Sequence, residues 1–177
     1  SQMPGKAAQS KGDTLAPFFI LTFVITWGIA SVAIFFPVQF KALFGELSES
    51  HPLYYLAVAA PTISATILTF VREGRSGLGA LYSRLIHWRF GIQWYAVVLI
   101  GIPVLGWLLS QISGPSRLKD ISTPTLLFSL LLNLLITGPL GEELGWRGFA
   151  LPHLLRRFNP FVASLSLGAI WGVWHLP

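Results

Sequence analysis

The sequence predicts an all-α fold, a polytopic transmembrane bundle of about five spanning helices, and three observations lead to this prediction. Hydrophobic residues make up 53% of the 177 residues and charged residues only 11%, whereas about 25% of an average soluble domain is charged. The mean hydropathy is +0.65. Long stretches also lack Asp, Glu, Lys and Arg. Runs of this length are expected to be helices, because a helix satisfies its own backbone polar groups in lipid and an open strand does not.

The charge-free stretches are residues 14–40, 52–71, 90–116, 121–141 and 158–177. Each supplies about the 20 residues that a spanning helix requires. A cleaved signal peptide is the competing interpretation of the first stretch, because Lys6 and Lys11 precede it and Ser31-Val32-Ala33 resembles a cleavage site. Its apolar residues continue through Phe36, and this length favours a membrane anchor.

Domain organisation is simple in this interpretation. Residues 1–13 are polar and small and are predicted to be disordered. Residues 14–177 are predicted to form a single membrane-embedded helical domain, which we expect to be the N-terminal part of a longer domain.

Basic residues indicate the orientation. With the N-terminus in the cytoplasm, that side holds eight basic residues and the opposite side three, and this excess predicts a cytoplasmic N-terminus in the cell membrane. The cytoplasmic set is Lys6, Lys11, Arg72, Arg75, Arg84, Arg89, Arg156 and Arg157, and the other set is Lys41, Arg117 and Lys119. Because these residues are dispersed in short loops, the net charge of +5 is not taken to indicate nucleic-acid binding.

The charged cluster Glu142, Glu143 and Arg147 follows directly after the apolar residues 121–141. Ionisable residues within a membrane are costly and by default indicate a functional site. Glu143 precedes Arg147 by four residues, which predicts a helical ion pair. Glu142 has no such partner in its own helix, and it is therefore the first candidate for chemistry.

His175 is the second candidate. If a fourth helix spans residues 124–151, ends at Pro152 and turns into a fifth helix near Pro160, Glu142 and His175 lie at comparable depths. Each also belongs to a stripe of small residues that allows close helix approach. The stripes are Gly138, Gly141, Glu142 and Gly145, and Gly168, Trp171, Gly172 and His175. The two stripes are predicted to face each other.

A carboxylate beside an imidazole in a cavity with little water can hold and deprotonate a water molecule, so hydrolysis is the predicted reaction class. With a bound divalent metal, Glu142 and His175 are also candidate ligands. The absence of cysteine excludes thiolate ligands and a cysteine nucleophile.

The two motifs resemble those of the CAAX protease and bacteriocin-processing (CPBP or Abi) family of intramembrane proteases. The first is Glu-Glu-x-x-x-Arg, present as Glu142, Glu143 and Arg147, and the second is usually Phe-x-x-x-His, here Trp171 to His175. The resemblance implies a membrane endopeptidase that acts on prenylated proteins, peptides or bacteriocin-related substrates at the bilayer. It implies that Glu142 and His175 activate the hydrolytic water and that Glu143 and Arg147 support them. It is compatible both with a divalent metal such as zinc and with a metal-independent glutamate mechanism.

One motif of this family is not found. The family carries a later His-x-x-x-Asn or Asp, implied to complete the metal or oxyanion site, and no His in this chain precedes such a residue at that spacing. We therefore expect the 177 residues alone to be inactive, with a further metal ligand outside them. The alternatives are a non-enzymatic immunity or scaffold protein, in which Glu143 and Arg147 form a structural ion pair, and a transporter that uses Glu142 to couple protons. The substrate and the oligomeric state are not predicted.

Overall fold

The computed structural model describes residues 14–48, 50–86, 96–113 and 133–177, together with the single positions Gly91, Gln93, Pro124 and Leu131. Regular structure in these ranges is helical, so the all-α prediction is confirmed. The predicted disorder of residues 1–13 lies outside the described residues, as does most of the first half of the run 121–141.

The first apolar run forms two helices. Helix α1 spans Leu15–Phe35 and α2 spans Pro37–Phe44. Phe36 separates them with non-helical backbone angles. Pro37 occupies the first turn of α2, where the missing N–H of proline costs nothing. The break therefore follows directly from the sequence at this position.

The second apolar run is bent. Helix α3 spans Pro52–Val58 and α4 spans Ala60–Tyr82, and the two meet at an angle of 61°. His51 caps α3, with its Nδ1 accepting a hydrogen bond from the Leu53 amide at 3.1 Å. Helix α4 is interrupted at Gly74, whose φ of +65° is accessible mainly to glycine. A 3₁₀ turn, Ser83–Ile86, follows α4.

Helix α5 spans Ile102–Ser113, after a π-type turn at Val97–Gly101. Helix α6 spans Asn133–Ala150 with π-type winding, α7 spans Leu151–Leu155, and α8 spans Pro160–Trp174. Helix α6 ends at Ala150, close to the predicted end at Pro152, but the turn predicted to start at Pro152 begins as helix α7. Pro152 lies in the first turn of α7, where it needs no N–H partner. The predicted start at Pro160 is correct, and the Asn159 side chain caps it by accepting from the Val162 amide at 2.9 Å.

Among the described residues, α1 is long and apolar enough to span a membrane, and the bent pair α3–α4 adds a second span if it is counted as one. Helix α8 is apolar but shorter, with 15 residues. Large apolar side chains of α1, such as Ile20, Val24 and Phe35, point outward. An apolar outer surface of this kind suits lipid. The number of five spans stays a prediction.

The core centres on α6. Trp146 is 2% exposed and packs edge-on against Phe18 of α1 at 5.6 Å and against Trp174 of α8 at 5.7 Å between ring centroids. Helix α6 also lies against α4, where Gly145 meets Pro61 so closely that a Cβ would overlap the Pro61 backbone. These contacts place the charged cluster of α6 between α1, α4 and α8.

Candidate active site

Glu142 of α6 faces His175 at the C-terminal end of α8. The Glu142 Oε2 and His175 Nε2 atoms are 4.0 Å apart. The Glu142 side chain is 17% exposed and that of His175 is 50% exposed. The structure thus brings together the two side chains that the sequence predicted to meet.

Trp171 contacts both of these residues. Its indole Nε1 donates a hydrogen bond to Glu142 Oε2 at 3.0 Å. Its backbone carbonyl lies 2.9 Å from His175 Nδ1, and because a carbonyl only accepts, Nδ1 is the donor. In a neutral imidazole, Nε2 is then an acceptor. With a neutral imidazole, the carboxylate and Nε2 are two acceptors 4.0 Å apart, and a water molecule has the two hydrogens to satisfy them.

A cavity of about 270 Å³ adjoins this pair. Its wall is mostly apolar and is drawn from α1, α3 and the loop before α3, with the carboxylate and the imidazole among its lining. The lining residues are Thr26, Ile29, Ala30, Leu47, Tyr54, Ala57, Val58, Glu142, Trp174, His175 and Pro177. An apolar cavity with a few converging polar groups is the usual form of a ligand site.

Glu143 and Arg147 form the predicted ion pair. Their side chains are 33% and 57% exposed, and exposed ion pairs contribute little to stability. The Arg147 guanidinium also lies 5.7 Å from the centroid of the Trp171 ring, a cation–π contact. Glu143 therefore holds Arg147 beside the tryptophan that contacts Glu142.

Helix α1 holds the end of α8. Trp174 Nε1 donates to Thr26 Oγ1 at 2.9 Å, and this hydroxyl donates to the Ala57 carbonyl at 2.8 Å. Trp27 Nε1 in turn donates to the Trp174 carbonyl at 3.2 Å. Sequence analysis missed these contacts, although a buried indole such as that of Trp174 and a threonine in an apolar helix both need hydrogen-bond partners. The residue types indicate that these side chains need hydrogen-bond partners, but they do not identify the partners.

The two predicted stripes meet through Glu142, Trp171 and His175, but not through the glycines Gly145, Gly168 and Gly172. Gly145 packs against Pro61 of α4, whereas a Cβ at Gly168 or Gly172 would meet nothing within 4 Å among the described residues. Close helix approach through glycine therefore joins α6 to α4. The large side chain of Trp171 fills the space between Glu142 and α8 instead.

Glu142 and His175 are the predicted ligands for a divalent metal. Within the described residues there is no group of three or more His, Cys, Asp and Glu side chains that fits a metal. Glu142 and His175 supply two donors, whereas catalytic zinc usually takes three from the protein. These two residues alone therefore do not complete a zinc site.

Comparison with known proteins confirms the resemblance. The family model described as type II CAAX prenyl endopeptidase Rce1-like matches residues 123–177. The chain is also similar to CAAX prenyl protease 2 of Methanococcus maripaludis, at 29% identity over 169 residues, covering 90% of this chain and 60% of that protein. This chain thus spans about 60% of the length of that curated relative. No solved structure matches this chain.

Proposed function

We propose that Glu142 and His175 form the catalytic centre of an intramembrane endopeptidase. Both residues lie in the segment that matches the CAAX endopeptidase family model. The observation that carries the proposal is the 4.0 Å approach of the carboxylate to the imidazole beside an apolar cavity. An imidazole that faces a largely buried carboxylate beside an apolar cavity favours hydrolysis over the non-enzymatic and transporter alternatives.

The chemistry follows from the two acceptors. A water molecule donates one hydrogen to Glu142 and the other to His175 Nε2, which leaves an oxygen lone pair directed into the cavity. Glu142 removes a proton as general base while the water oxygen bonds to the peptide carbonyl carbon. The carbon–nitrogen bond then breaks, and the proton held by Glu142 passes to the leaving amine. The products are a new carboxylic acid and a free amine, and the acid then transfers its remaining proton to the amine to give a carboxylate and an ammonium group.

We further propose that the substrate is a prenylated C-terminal peptide. The relative's name refers to a prenyl protease, and the description of the matching family refers to a prenyl endopeptidase. The apolar wall of the cavity suits apolar residues next to the scissile bond, and the apolar exterior of α1 suits an approach from lipid.

The test uses the natural full-length protein in liposomes with a farnesylated CAAX peptide and the same peptide without the farnesyl group. Cleavage of the farnesylated peptide is expected, with a loss of at least 10²-fold in kcat for Glu142→Gln and His175→Ala, in line with the usual contribution of general base catalysis of about 10²–10⁴-fold. Membrane insertion should be unchanged. Turnover at the wild-type rate in Glu142→Gln would refute the assigned roles.

The proposal includes a multi-pass topology with a cytoplasmic N-terminus, supported by the distribution of basic residues. The 177 residues contain no cysteine, so a single cysteine engineered into this chain is its only thiol and reports one location. Cysteines placed at Ser10 and Ser76 should react with an impermeant maleimide only from the cytoplasmic side. Labelling of both positions from the opposite side only would show that the N-terminus is not cytoplasmic.

A further inference from the structure

Trp171 occupies a position where the family motif usually has phenylalanine. A phenylalanine would fill similar space and would provide the same backbone carbonyl to His175. It has no N–H group, however. The hydrogen bond from the indole Nε1 to Glu142 Oε2, at 3.0 Å, is therefore a feature that this chain adds to the motif.

The indole is itself held in place. The Arg147 guanidinium lies over the ring at 5.7 Å, and the His175 ring packs edge-on against it at 5.2 Å. Arg147 is in turn paired with Glu143. A continuous set of contacts thus runs from Glu143 through Arg147 and Trp171 to Glu142.

We propose that Trp171 is a positioning residue, whose indole N–H holds the Glu142 carboxylate in the orientation that faces His175 Nε2. The hydrogen bond occupies one acceptor site of Oε2 and fixes the rotation of the carboxylate. The remaining acceptor sites then face the water. This inference deepens the proposed function and rests on it.

The proposal also gives Arg147 a specific task. The Arg147 guanidinium stacks on the Trp171 indole, and the indole donates to Glu142. Arg147 therefore helps to orient Glu142 through Trp171. If Trp171 served only in packing, its ring would be needed and its N–H would not. A variant that keeps the ring and lacks the N–H would then keep the wild-type kcat.

The first experiment removes the N–H in two ways in the natural full-length protein. Trp171→Phe reduces the ring, and replacement by 3-benzothienylalanine keeps the ring size and exchanges the N–H for sulfur. For both variants we expect kcat on the farnesylated peptide to fall about tenfold, the effect of losing one hydrogen bond to a charged group, with KM changed less than about twofold. Trp107→Phe, on α5 with an exposed side chain, is the matched control and should keep the wild-type kcat. Wild-type kcat in the benzothienylalanine variant would overturn the proposal.

The second experiment needs no activity. A double-mutant cycle combines Trp171→Phe with Glu142→Ala and follows the thermal unfolding midpoint in detergent. If the N–H binds the carboxylate, Trp171→Phe lowers the midpoint in the wild-type background and has little effect when Glu142 is alanine. Equal effects in both backgrounds would show that the two residues are not coupled. If Glu142→Gln retains turnover while the cycle shows coupling, the catalytic role of Glu142 is refuted, whereas the hydrogen bond between Trp171 and Glu142 is supported.

Discussion

The indole of Trp174 donates a hydrogen bond to the hydroxyl of Thr26 at 2.9 Å, and this bond ties helix α8 to helix α1 one residue before His175. Thr26 lies far from the matched residues 123–177 in sequence. The position of the imidazole thus depends on a helix outside the segment that carries the family motifs.

Thr26→Val tests this dependence. Valine has nearly the same shape but removes both hydrogen bonds of the hydroxyl, and it leaves Trp174 Nε1 and the Ala57 carbonyl without that partner. We expect a loss of about 1–3 kcal/mol of stability and a fall in kcat, since His175 is no longer fixed. Thermal unfolding in detergent and the peptide assay measure the two effects.

Thr22→Val on the same helix is the control for that substitution. The Thr22 hydroxyl is fully buried and has no hydrogen-bond partner among the described residues. Removing a buried hydroxyl of this kind should leave stability unchanged or increase it. If both variants lose stability equally, the bond to Trp174 is not what holds α8.

Gly145→Ala tests the packing of α6 on α4. A methyl group at this position would overlap the Pro61 backbone, which cannot move aside as a flexible side chain can. Overpacking of this kind costs about 1–3 kcal/mol, so the unfolding midpoint should fall. Gly168→Ala is the matched control, since it adds the same methyl group where nothing lies within 4 Å, and it should be neutral or slightly stabilising. A stable Gly145→Ala variant would contradict the close contact.

Arg147→Lys separates charge from shape. Lysine keeps the positive charge for Glu143 but lacks the planar guanidinium that stacks on Trp171. We expect kcat to fall several-fold with insertion and stability maintained, and to fall further in Arg147→Ala. If Arg147→Lys is fully active while Arg147→Ala fails to assemble, the pair is structural, as in the non-enzymatic alternative.

Ala30→Phe tests the cavity. Ala30 of α1 lines it together with Glu142 and His175, so a phenylalanine ring should occupy part of the volume. We expect kcat/KM for the farnesylated peptide to fall more than tenfold with the unfolding midpoint little changed. Ala80→Phe, at an exposed position of α4, should be without effect on turnover. Unchanged kcat/KM in Ala30→Phe would place the substrate elsewhere.

Local chemistry made several features predictable. The pair of Glu143 and Arg147 follows from a spacing of four residues on one helix, and the helix start at Pro160 follows from proline preceded by a capping asparagine. The candidacy of Glu142 followed from the cost of an unpaired charge beside an apolar run. Each of these inferences involves residues near one another in sequence.

The helical class, the apolar character of the helices and the meeting of Glu142 with His175 could be predicted from the sequence, because hydrophobic runs and helical spacing are local properties. Only the packed structure shows which helix each stripe contacts, that Trp171 donates to Glu142, and that Trp174 donates to Thr26. Glycine spacing shows that a close neighbour is allowed and does not identify it. The choice between α4 and α8 depends on the summed packing of all the helices, to which Pro61 contributes at Gly145 and Trp171 at Glu142.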